Sequence, residues 1–141
     1  MLAEQIATII RIRLLDPLEI LFDDVGDLPD RVGALAERTA ETLLGDDEAA
    51  ARHAIARLVG ALYPGDAPFD PPADWWRTPL GQVVARRMGH PAVRAVSYSV
   101  AGAMLGVTKQ GVHDLVRRGK LARDPEGGGV TVDSVRARLN G

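Results

Sequence analysis

The chain has no cysteine, which excludes a disulfide scaffold, a thiolate metal site and a cysteine nucleophile. That composition suits a reducing compartment. No uncharged run approaches the ~20 residues of a membrane span. The opening segment MLAEQIATIIRIRLL carries Glu4, Arg11 and Arg13, so it lacks the unbroken apolar stretch of a signal peptide. There is no glycine-rich phosphate loop and no nucleophile elbow. His53, His90 and His113 fall in different elements, without metal-ligand spacing. Asp23-Asp24, Asp27, Asp30 and Asp46-Asp47-Glu48 gather where helix ends and turns are expected, so capping and solvation account for them. No enzymatic activity, catalytic residue, metal or cofactor is therefore expected.

What is present is ordinary globular material: 46% hydrophobic and 26% charged residues exclude a disordered tail or a fibre. A body of 141 residues can bury roughly 68–70% of its unfolded surface, as one domain or two small ones. The net charge of −2 hides a segregation. Residues 1–80 hold 15 acids and 7 bases, whereas residues 81–141 hold 10 bases and 4 acids. An acidic half joined to a basic half points to a polyanion as partner of the basic part.

The first 62 residues carry helical periodicity. Leu2, Ile6, Ile9, Ile10 and Leu14 mark one amphipathic helix. Asp16-Pro17-Leu18-Glu19 predicts a restart, with Asp16 as cap, Pro17 in the first turn and Glu19 answering back. Leu18, Leu21, Phe22 and Val25 would supply that short helix's apolar face. Pro29 opens a third helix with Val32, Leu35, Ala36, Thr39 and Leu43 inward, stopped at Gly45. Asp46 starts a fourth, with Ile55, Leu58, Val59 and Leu62 as its stripe. Residues 63–77 contain four prolines, so they are neither helix nor central strand. They also hold Tyr63, Phe69, Trp75 and Trp76, four of the six aromatics, which predicts a strap packed on helices or an interface rather than a loose tether. Thr78-Pro79 caps a helix running to about Met88. His90-Pro91 begins a turn or short helical piece to about Val96.

The informative segment is Ser99 to Leu121. Ser99 is expected to cap a short helix with Val100, Ala101, Met104 and Leu105 inward. Gly106 permits the left-handed corner of a helix–turn–helix, and Val107 plugs the space beneath it. Thr108 caps a second helix with Val112, Leu115 and Val116 inward, closed by Gly119. Ala101 and Gly102 are small enough for close helix approach. Outward on the second helix remain Lys109, Gln110, His113, Asp114 and Arg117. Such a polar face suits the major groove, where Arg and Lys donate to guanine and Gln grips adenine. Arg118 and Lys120 can hold phosphates at the far end. Leu121–Arg123, Asp124–Gly129 and Val130–Val132 then read as strand, turn and strand, and Asp133 as the cap of a terminal helix.

Helix–turn–helix, Arg117-Arg118-Gly119-Lys120-Leu121, hairpin and terminal helix together resemble the excisionase-like and MerR-like winged-helix DNA-binding domains, over about residues 97–140. The resemblance implies a recognition helix from Thr108 to Arg118 and a wing over residues 121–132, with Arg123 at the wing's base. Several features depart from the pattern: Gly102 stands where alanine is commoner, and Asp114 faces outward among the bases. Gly111 lies inside the recognition helix, and Asp124 and Glu126 place acid at the wing tip. The expected fold is mainly α, with an acidic helical domain over 1–77 and a basic winged helix-turn-helix with a small β-hairpin over 78–141. The expected function is a sequence-specific double-stranded DNA-binding regulator, a repressor, dimeric through its N-terminal helices and located at the nucleoid in the cytoplasm. The DNA-binding residues would be Thr108, Lys109, Gln110, His113, Arg117, Arg118, Lys120 and Arg123. An excisionase-like or partition-type accessory factor and an antitoxin-type interaction module are the alternatives.

Overall fold

Apolar residues at helical spacing produce helices over most of the chain, and the one small sheet has two antiparallel strands. A computed structural model describes all residues, 1–141. It divides into two compact units, Met1–Gly65 and Asp66–Gly141. The break thus falls inside the proline- and aromatic-rich segment instead of following Arg77: Tyr63 stays with Arg13 in the first unit, whereas Phe69 and Trp76 are buried within the second.

In the first unit, α1 (Leu2–Ile10) runs through a π-helical segment (Arg11–Leu15) into α2 (Asp16–Phe22). The expected restart at Asp16 does not occur. Asp16 and Leu15 have helical dihedrals, and neither side chain caps. Pro17 explains the wider turn: it has no N–H to donate and its ring crowds the carbonyl four residues back. The Asp16 N–H reaches Arg11 O instead, one residue further than in an α-helix. α3 (Leu28–Leu44) packs mainly against α1 and the π segment, and α4 (Glu48–Leu62) against α3. Leu2, Ile6, Ile10 and Leu15 meet Val32, Ala36, Ala40, Leu43, Ala51, Ile55 and Leu62 in the core. Leu35 does not join them and stays exposed. Asp47, not Asp46, caps α4, its Oδ1 accepting from Ala50 N–H at 3.0 Å. Arg13 closes the other end of α4, donating to Leu62 O at 3.0 Å while lying 4.0 Å from the Tyr63 ring centre. α2 buries none of its residues: on its apolar face Leu18 is half-buried, and Leu21 and Phe22 are exposed.

The second unit begins with the strap and a 3₁₀ turn (Ala73–Arg77), followed by α5 (Pro79–Met88). Trp76 is fully buried, and its ring and that of Phe69 stand edge to face, 6.4 Å apart. Gln82 locks this corner, donating to the carbonyls of Trp76, Ala103 and Met104. Gly81 has no substitute here, since a Cβ would sit 2.6 Å from Trp76 Cα. Where a turn or helical piece was expected before Val96, Ala95–Val96 forms β1, paired with β2 (Val130–Thr131) in the register Ala95↔Thr131. α6 (Tyr98–Leu105), α7 (Lys109–Arg117) and α8 (Val132–Asn140) complete the unit. Thr131, not Asp133, caps α8, accepting from Ser134 N–H at 3.3 Å.

His90 is buried against Phe69 and Trp76, and its Nδ1 accepts from Ala92 N–H (3.0 Å) and Val93 N–H (3.2 Å). Burial lowers its pKa from the ordinary histidine value, with Asp70 pulling the other way. The folded unit therefore binds this proton less readily than the unfolded chain does. Its contribution to stability is complete above the unfolded histidine pKa and is lost as the pH falls below it. The urea midpoint is expected to drop between pH 7.5 and pH 5. The drop should be smaller in His90→Asn, which has no proton to gain, and equal drops would refute this account.

Candidate nucleic-acid interface

α6 begins two residues earlier than the sequence indicates, because Ser97 rather than Ser99 is the cap, accepting from Val100 N–H at 3.1 Å. Ala101, Gly102, Ala103 and Met104 are buried, while Val100 and Leu105 are half-buried. Gly106 ends the helix in the left-handed region at φ 73°, ψ 28°. Val107 N–H then returns to Gly102 O at 2.9 Å, which folds the chain tightly over the end of α6. A Cβ on Gly102 would lie 2.8 Å from Val107 O, so only glycine allows this approach. Thr108 caps α7, its Oγ1 accepting from Gly111 N–H at 3.0 Å. Val112 and Leu115 are buried and Val116 half-buried, which fixes the rotation of the helix.

That rotation leaves Lys109, Gln110, His113 and Arg117 exposed. At 3.6 residues per turn these four fall within a sector of roughly 100°. The Tyr98 ring stands edge-on to His113, with ring centres 4.3 Å apart, and so holds the imidazole at the helix surface. Asp114 is half-buried and pairs with Arg117 one turn on. An exposed i,i+3 pair is worth about 0.5 kcal/mol or less, so Arg117 is readily released to another acceptor. Gly111 faces neither open solvent nor the first helix. Its Cβ position lies 3.3 Å from Val107 Cβ, within the cap of its own helix. Arg118, Gly119 (φ 74°) and Lys120 follow α7, with both basic side chains exposed.

Arg123 is set apart from α7, bridged to Val130 across the turn. Thr131 N–H donates to Ala122 O and Asp124 N–H to Gly129 O, so residues 122–124 flank β2 opposite β1. Regular strand is limited to Val130–Thr131 on this arm, shorter than the two-stranded hairpin expected. The acidic tip has a partner that sequence reading missed. Arg94, just ahead of β1, reaches both Asp124 (3.5 Å) and Glu126. Nothing local could signal this pair, since 30 residues separate Arg94 from Asp124. Tyr98 was also missed, although an aromatic residue beside a capping serine was visible.

The site is thus a polar stripe on one helix, two bases at its C-terminal end and one base on the adjoining turn. Comparison with protein-family models, curated proteins and solved structures finds no match in any of the three.

Proposed function

We propose that the chain is a sequence-specific double-stranded DNA-binding protein, a transcriptional repressor acting as a dimer, whose second unit is a winged helix-turn-helix. The observation that carries this reading is the exposed row Lys109, Gln110, His113 and Arg117 on a helix whose opposite face is anchored by Val112 and Leu115. In this reading α7 enters the major groove and its row donates to base edges. Arg118 and Lys120 hold phosphates, and Thr108 spends its hydroxyl on the cap. The order α5, β1, α6, α7, paired turn, β2 supports the winged arrangement, with residues 121–132 as the wing. A single such helix reads few base pairs, which favours a second copy and an operator with half-sites about 10 base pairs apart or a multiple of that. Selection of bound fragments from genomic DNA with the full chain tests this. One enriched inverted repeat is the expected result, and retention of no fragment at low salt would refute it.

The wing tip supplies a second test. Asp124→Ala with Glu126→Ala frees Arg94 from its two carboxylates and removes negative charge facing phosphate. Non-specific affinity is expected to rise, with the slope of log K against log salt steepening by about 0.9 for one added phosphate contact. Weakened binding in this variant would mean that the carboxylates themselves touch DNA.

A further inference from the structure

The first unit leaves a sizeable apolar surface uncovered. At the end of α2, Ile20, Leu21 and Phe22 are 79%, 74% and 67% exposed. A helix tip that is apolar on every side is a shape normally buried. Two turns earlier, Ile10 and Leu14 form one wall of a groove completed by Leu35 of α3 and Leu58 of α4, with Arg57 its one charged lining residue. Its volume is about 170 Å³. That is comparable to the roughly 150 Å³ apolar cavity known to accept a benzene ring, so one phenylalanine side chain fits.

We propose that these two features meet across a two-fold axis: the α2 tip of one chain occupies the groove of a second copy, and the reverse. The spacing supports a second copy as the occupant. Leu14, Leu18 and Phe22 fall at i, i+4 and i+8, on one side of the helix. Such a row reads the same in both directions, so two copies laid antiparallel about Leu18 bring each Phe22 to the partner's Leu14. Charge agrees, because Asp23 and Asp24 follow the tip directly and Arg57 stands in the groove. The same acids, with Asp16, Glu19, Asp27 and Asp30 around them, disfavour an anionic membrane as the occupant.

This deepens the dimer part of the proposed function and is independent of its DNA part. The test is the solution mass of the full chain at micromolar concentration, by sedimentation. Wild type is expected to be a dimer. Phe22→Asp removes the tip, and Ala61→Glu fills the groove from an exposed position that lines it. Each should raise the dimer dissociation constant roughly thirtyfold or more. Both sites are exposed, so the helical circular dichroism should be unchanged. Mixed together, the two variants should regain partial 1:1 pairing, since one sound tip then meets one sound groove. A monomeric wild type would overturn both this surface and the dimer reading. A dimer indifferent to Phe22→Asp, or variants that fail to pair when mixed, would overturn the surface alone.

Discussion

Replacing Lys109, Gln110 and Arg117 together by alanine is expected to abolish specific DNA binding while leaving the fold intact. All three side chains are exposed, and none supports the core. Alanine is a better helix former than any of them, so α7 should not loosen. Only the Arg117–Asp114 pair is lost from the folded chain, and an exposed pair of that kind contributes little. Each base contact is worth ~1–3 kcal/mol, so three together should cost on the order of a thousandfold or more in affinity for a selected operator. Non-specific binding should persist through Arg118 and Lys120, which depend on charge and not on the row. Anisotropy titration against the selected fragment and a scrambled duplex separates these terms. Unchanged affinity for the selected fragment in the triple variant would remove α7 as the reading element.

The contrast between the two units shows what a sequence of this kind discloses. Local signals survived folding well in the second unit: Gly106 takes the left-handed corner, Thr78 and Thr108 cap, and Val112 and Leu115 face inward as their spacing requires. These features depend on a residue and its neighbours within one or two turns. Caps slipped where a residue one or two positions away can do the same work, as with Ser97 over Ser99 and Asp47 over Asp46. β1 was hidden because two residues show no alternation and their partners lie 34 to 36 positions away. α2 shows a different limit. The spacing of Leu18, Leu21 and Phe22 correctly marks an apolar side, but no periodicity states whether a side is covered by the same chain. The row Lys109, Gln110, His113 and Arg117 was legible as a group because a polar face opposite an apolar one is local information, whereas Arg123 lies apart on the adjoining turn. Arg94 and Tyr98, which modify that group, depend on tertiary proximity.

The second large effect is expected at Trp76, whose substitution by alanine should unfold the second unit and with it the DNA interface. Its side chain is fully buried and meets Phe69, Trp75 and His90. Its carbonyl is one of three held by Gln82, which ties the 3₁₀ turn to α6. Truncating a buried tryptophan costs about 3–5 kcal/mol, as lost burial plus the cavity left behind. Asp66–Gly141 has 76 residues, so at roughly 0.05–0.15 kcal/mol per residue its whole stability is about 4–11 kcal/mol. The substitution therefore removes a large fraction of it or all of it. α6 would then lose the support that fixes Gly102 beneath the turn, and α7 its orientation. Trp76→Phe should be far milder. It keeps a ring against Phe69, and it eliminates an indole N–H that is buried without a hydrogen-bond partner. Far-UV circular dichroism in urea can follow this. In Trp76→Ala a low-urea transition belonging to the second unit should separate from that of the first unit, whose core contains none of these contacts. Operator affinity should fall in parallel with that first transition. If Trp76→Ala unfolds at the wild-type urea concentration and still binds DNA, the aromatic strap is not what holds α6 and α7 in place.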